Sequence, residues 1–358
     1  IETSKKFLAK VFYVSFDLYP LEFMEKIYNS LSNTLRFKHP SILEYSYFSK
    51  DGFGSEDRPT LFTEFLGNST LEDVILSQNS EFNATKKLIN IYGIASAMKY
   101  LHSMNILHLD LTLENIIEDS NFYPKIKDFG MSGIFKDINS ILRIKKKNVY
   151  LAPECYINNE YDEKCDVYSF SLIAYQIMLN KIQFKGINII NHIDNIIKNK
   201  RPEFDDKTPE AYIELIEKSW ASDPKERTTF EMIVDEIEKN PQFITKDVNE
   251  VEFKKYTQQF KSVQKQIRNI GKKEKVKDGK KETENKDEYR KIELDNDDER
   301  KIEFDNDNHR KIEPDDEDEK KRKVEHDNDD EKERKIESDN DDEKERIPIF
   351  QKYLININ

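Results

Sequence analysis

The sequence predicts an α+β fold in two unequal parts, a small β-rich part followed by a larger helical one, with a charged tail behind them. Three observations predict it. Beyond a single early helix pattern, the first 66 residues hold short β-prone, aromatic runs. From Leu88 onward apolar residues recur with helical period. Beyond about Lys254 the chain is mostly Lys, Glu, Asp and Asn, too polar to offset its ordering entropy.

Lys6 to Ser15 (KFLAKVFYVS) is β-rich and reads as a strand. Pro20 suits a first helical position, and Leu21, Met24, Ile27, Leu31 and Leu35 fall on one stripe after it. His39-Pro40 ends that helix. Residues 42–48 and 60–66 are apolar and aromatic and read as two more strands. From Thr85 to about Asn105, Leu88, Ile91, Ala95, Met98 and Leu101 define a helix. Residues 166–179 are apolar nearly all round, which places their helix at the centre of the larger part. Tyr212–Ser219 and Thr229–Lys239 supply two amphipathic helices.

The hydrophobic fraction of 36% is unevenly spread, and residues 1–245 are long enough to bury a sizeable core. The net charge of −13 is a property of the tail: Arg290 to Glu345 holds 14 basic and 26 acidic residues. Five similar units begin at Arg290, Arg300, Arg310, Arg322 and Arg334, each with too few apolar residues to bury a core by stacking. The organisation expected is a domain over 1–245 (parts 1–66 and 67–245), a basic linker over 246–289, disordered acidic repeats over 290–346, and a short apolar terminus over 347–358 without structure. Nothing in the charge pattern favours nucleic acid. Cys155 and Cys165 are the only cysteines, which fits a reducing, cytoplasmic interior better than a disulfide framework. There is no run of about 18 apolar residues, so no membrane span is predicted. Ile1 rather than Met opens the chain, so a targeting signal is expected upstream if there is one.

Two strings carry the chemistry. Residues 108–115 read His-Leu-Asp-Leu-Thr-Leu-Glu-Asn, and eighteen residues beyond Asp110 stands Asp128-Phe129-Gly130. Phosphoryl transfer needs a carboxylate to orient the attacking hydroxyl and oxygen ligands to hold a divalent ion against the phosphates. This order and spacing resembles the catalytic and metal-binding loops of the protein kinase superfamily, and the flanks resemble its tyrosine-kinase-like serine/threonine group. The resemblance covers about residues 5–240 and implies a bilobal protein-kinase-like fold. The chain opens nine residues before Lys10, so a small lobe lacking its first strands and the glycine-rich phosphate loop is expected, by truncation or by nature.

By that resemblance Asp110 is the catalytic base, Asn115 and Asp128 bind Mg²⁺, and Lys10 pairs the ATP phosphates. Counting forward from Lys10 makes Glu25 the carboxylate that holds it; counting back from His39-Pro40 lands on Ser30, and both counts stand. Thr63, Glu64 and Leu66 resemble the hinge that borders and bonds adenine, with Ile117 below the nucleotide. Glu154 is expected to pair with Arg227, Asp166 to bond the catalytic loop, and Trp220 to lie in the core.

The chain also departs from the family. Leu109 replaces the arginine of HRDLKPEN, Thr112 its lysine, and Leu8 a small residue over adenine. The implied function is transfer of the γ-phosphoryl of Mg·ATP to protein serine or threonine. The alternative is a pseudokinase scaffold. Arg143, Lys145, Lys146 and Lys147 make the activation loop basic, and two readings stand: a solvated basic loop, or one onto which the acidic repeats fold back.

Overall fold

The structure, a computed structural model, describes residues 5–12, 35, 37–49, 59–67, 69–129, 149–158, 160–184, 186–260 and 350–357. Most of the helix expected over 20–35, with Glu25 and Ser30, lies outside these residues. So do Gly130, the basic loop residues 143–147 and the acidic repeats, so both readings of that loop do too.

Strands β1 (Lys5–Phe12), β2 (Tyr45–Ser49), β3 (Thr60–Glu64) and β6 (Phe350–Ile357) form one antiparallel sheet in the order β2-β3-β1-β6. β4 (Ile116–Glu118) and β5 (Pro124–Ile126) pair as a short hairpin. Leu8, Thr63 and Tyr45 are register partners across the first sheet, while Lys10 pairs with Leu61 on one side and Lys352 on the other. The C-terminal segment corrects the expectation of an unstructured end: it lies along β1 from the pair Phe12–Phe350 to Lys5–Ile357. A strand edge offers a row of unpaired N–H and C=O groups, and this β-prone octapeptide pairs with them.

The larger part is helical: α1 (Leu71–Ser77), α2 (Ala84–Ser103), α3 (Pro153–Ile157), α4 (Glu163–Leu179), α5 (Ile189–Ile197), α6 (Glu210–Ser219), α7 (Phe230–Lys239) and α8 (Glu250–Gln258). Asn83 starts α2 by accepting from the N–H groups of Thr85 and Lys86, and Asp162 starts α4 by accepting from that of Lys164. Both helices are buried nearly all round, as their predominantly apolar middle turns require. Trp220 is buried against Tyr175 and Phe204, with ring centroids 5.6 and 5.5 Å away. No helix among the described residues is long and apolar enough to cross a membrane.

Packing continues past the boundary expected at 245. Asn249 caps α8, and Phe253, Tyr256 and Phe260 enter the core, so the first residues of the expected basic linker are structural. Their burial depends on aromatic partners far back in the chain: Tyr92 lies 5.5 Å from the Phe253 ring and 5.4 Å from that of Phe260. Tyr256 Oη bonds Ser41 Oγ at 2.6 Å. Gly93 is what lets α8 approach. A Cβ there would collide with Tyr256 Oη and sit 2.8 Å from both Ser41 Oγ and Pro124 Cγ. Gly93→Ala is therefore expected to destabilise the domain by about 1–3 kcal/mol, despite alanine's better helix propensity. Urea denaturation checks this, and a stabilised variant would contradict the close approach.

Candidate active site

The loop 108–115 leaves α2 and is held from below by Asp166 in the first turn of α4. The fully buried Asp166 carboxylate accepts the backbone N–H of His108 at 2.8 Å and of Leu109 at 2.7 Å, and His102 Nε2 lies 2.9 Å from Oδ2. This binding holds Leu109 in a left-handed backbone conformation (φ +57°) that a branched side chain disfavours. His108 donates from Nε2 to the Lys127 carbonyl at 3.1 Å and accepts the Asp110 N–H at Nδ1.

Asn115 ends a 3₁₀ turn at the far side of the loop. Its Nδ2 donates to the Asp110 carbonyl at 2.7 Å and to Asp110 Oδ2 at 3.0 Å, which aims the carboxylate. Its Oδ1 accepts from Lys127 Nζ at 2.8 Å. Asp128 stands two residues beyond β5 in a left-handed conformation (φ +62°), and its N–H donates to Tyr45 Oη at 2.9 Å. Lys10 Nζ donates to Asp128 Oδ1 at 2.8 Å, and Lys127 Nζ stands 3.5 Å from Oδ2. Burial lowers the Lys10 pKa below the usual lysine value, and the Asp128 charge opposes that shift. Phe129 is buried against Phe37 and Tyr45, which anchors the segment that carries Asp128.

Four of the residues singled out by the sequence, Lys10, Asp110, Asn115 and Asp128, are thus joined through Lys127 into one chain of contacts across both parts. The Asn115 and Asp128 oxygens are hard donors of the kind Mg²⁺ takes, and both already face one cation, the Lys127 ammonium. The donor set fits a divalent ion. Thr63 is buried with its Oγ1 lacking a hydrogen-bond partner among the described residues. Glu64 is exposed at the end of β3; Leu66 and Ile117 are half-buried. Leu8 is half-buried and in register with Thr63.

The sequence reading missed two members of the site. Tyr45 looked like a strand residue, and Lys127 like an ordinary lysine, although its place directly before Asp128 was a usable signal. Further away, Glu154 and Arg227 form the expected pair, with Nη1–Oε1 at 2.6 Å and Nη2–Oε2 at 2.9 Å. Beside them the buried, unbridged thiols Cys155 and Cys165 stand 3.0 Å apart.

Residues 20–237 match the family model described as protein tyrosine and serine/threonine kinase. The chain is 33% identical over 215 residues to the dual specificity protein kinase pyk3 of Dictyostelium discoideum, covering 60% of this chain and 16% of that protein. It is 31% identical over 183 residues to the RGS domain-containing serine/threonine-protein kinase A of the same organism, covering 51% of this chain and again 16% of the relative. The chain therefore spans a small part of the length of these relatives.

Proposed function

The chain belongs to the protein tyrosine and serine/threonine kinase family, and from that premise we propose that it transfers the γ-phosphoryl group of Mg·ATP to serine or threonine hydroxyls of protein substrates. The observation that carries the proposal is the aimed carboxylate. Asn115 Nδ2 holds Asp110 Oδ2 at 3.0 Å, and the same asparagine turns its oxygen to the side where Asp128 lies. In this reading Asp110 accepts the hydrogen bond of the substrate hydroxyl and orients it for in-line attack. Lys10, buried and paired with Asp128, turns to the nucleotide phosphates. The oxygens of Asn115 and Asp128 hold Mg²⁺, which when bound neutralises phosphate charge. Thr63, Glu64, Leu66 and Ile117 border adenine and ribose, Glu25 steadies Lys10, and Leu8 narrows the pocket. The domain is taken to end near Phe260. A count of only two cysteines in a chain of this length supports a reducing, cytoplasmic setting.

A scaffold reading is favoured by one observation: position 112 holds threonine where a cation faces the moving phosphoryl group in serine/threonine kinases. Transfer of labelled phosphate from Mg·ATP to a mixed protein substrate, followed by phosphoamino-acid separation, decides between the two. The expected result is phosphoserine and phosphothreonine, reduced by about a hundredfold or more in Asp110→Asn. Phosphotyrosine alone would refute the serine/threonine assignment. A folded chain that binds ATP and transfers nothing would establish the scaffold.

A further inference from the structure

Phosphoryl transfer leaves negative charge on the moving group, and catalysis depends on cations already aimed at it. The catalytic loop of this chain is short of one, since Thr112 brings a hydroxyl and no charge. A lysine nevertheless stands inside the site, and it belongs to neither loop motif. Lys127 directly follows β5, where its backbone is pinned on both sides to the catalytic loop. Its N–H donates to the Asn115 carbonyl at 3.0 Å, and its carbonyl accepts from His108 Nε2 at 3.1 Å. The side chain is 13% exposed. Its ammonium lies 2.8 Å from Asn115 Oδ1 and 3.5 Å from Asp128 Oδ2, between the two groups assigned to the metal.

From this geometry we infer that Lys127 is a tethered cation of the phosphoryl-transfer site: its ammonium competes with a divalent ion for Asn115 and Asp128, and with such an ion in place it would serve the nucleotide phosphates. The inference rests on the kinase reading for its second half only. Mg²⁺ takes oxygen ligands at about 2.0–2.1 Å and in near-octahedral order. An ammonium held on these two oxygens repels such an ion and takes up acceptor directions the ion would use, so the two cations compete for the site. The anchored backbone and four-carbon stem would then keep the charge within reach of the nucleotide phosphates. Lys10 does not duplicate this role. It approaches from the sheet and takes the other oxygen of Asp128, at 2.8 Å from Oδ1.

A tethered cation has a signature that a structural ion pair lacks, because removing it acts in opposite directions on the two ligands. Without nucleotide, the ammonium competes with the metal, and its loss should tighten metal binding. With nucleotide, it holds phosphate, and its loss should weaken binding of the metal–nucleotide complex.

The test uses the whole chain with Lys127→Met, which keeps the stem and removes the charge, and Lys127→Arg, which keeps a charge. Mn²⁺ binding without nucleotide is read by electron paramagnetic resonance, and Mg·ATP binding by calorimetry. Circular dichroism and the melting temperature certify folding. The expected result for Lys127→Met is Mn²⁺ affinity raised roughly tenfold or more and Mg·ATP affinity lowered by about tenfold, with Lys127→Arg near the parent in both. Unchanged or weakened Mn²⁺ binding in a folded Lys127→Met protein would overturn the resident-cation half. Tighter Mn²⁺ binding with unchanged Mg·ATP affinity would overturn the phosphate half. The Mn²⁺ measurement assumes nothing about catalysis, so a parent chain that binds Mn²⁺ but no ATP would count against the kinase reading and not against the resident cation.

Discussion

Arg227→Ala is expected to cost the folded domain about 3–5 kcal/mol, enough to unfold it under mild denaturant. The guanidinium is buried, makes both oxygen contacts with Glu154, and stacks over the Tyr168 ring with its carbon 5.0 Å from the centroid. It also donates to the Ala221 carbonyl at 2.8 Å and the Lys164 carbonyl at 3.1 Å. Alanine removes all of these at once and leaves a buried carboxylate without its counter-charge. The attraction within the pair is offset by the cost of desolvating both ions, so the loss comes mainly from orphaning the survivor. Replacing both partners by methionine should therefore cost less than Arg227→Ala alone. Urea denaturation of Arg227→Met, Glu154→Met and the double variant gives the coupling. A loss below about 1 kcal/mol for Arg227→Ala would mean that Glu154 can reach water, contrary to its burial.

Glu118→Gln should stabilise the domain at neutral to alkaline pH and flatten part of its pH dependence. Glu118 lies buried on β4 with Oε1 lacking a hydrogen-bond partner among the described residues, and Oε2 has only a long bond, 3.4 Å, from Asn90 Nδ2. Burial raises its pKa from 4.5 to about 8, with Asp119 adding to the rise and Asn90 and Lys86 opposing it. Between these values the folded chain keeps a proton that the unfolded chain has released. Its contribution is fully present below about pH 4.5, declines as pH rises, and is gone above about pH 8. His39 acts with the opposite sign over a lower range. Burial holds its pKa at about 3 against a usual 6.5, so stability falls as pH drops below 6.5. Between pH 6.5 and 8 only Glu118 of these two contributes a slope, worth about 1.4 kcal/mol per pH unit. Denaturation midpoints of parent and Glu118→Gln should therefore diverge across that window, the variant becoming the more stable. Parallel pH profiles would show that the carboxyl is ionised in the folded chain.

Much of the site was legible because its parts are local. Asp110 and Asn115 are five residues apart on one loop, so their order and spacing can be read directly from contiguous sequence. The helices under the site were legible for a similar reason. Capping by Asn83 and Asp162 and the apolar period of the segments behind them are properties of contiguous residues. The C-terminal strand and α8 were not legible. Phe350–Ile357 is apolar and β-prone, but its pairing with Lys5–Phe12 depends on an open edge more than three hundred residues earlier. The aromatic residues of α8 sit in a segment rich in charge, and only the space over Gly93 explains why they are buried.

By itself, the sequence determined the order of strands and helices, the loop that carries Asp110 and Asn115, and the chemical types available for phosphoryl transfer. Tertiary structure decided the pairings that the sequence left open: Lys10 with Asp128 across 118 positions, and which cation lies between Asn115 and Asp128. The physical reason is a difference in range. Dihedral preference, capping and apolar period act over a few residues, whereas the direction of a buried charge is set by whichever opposite charge or dipole the packed core places within about 4 Å of it.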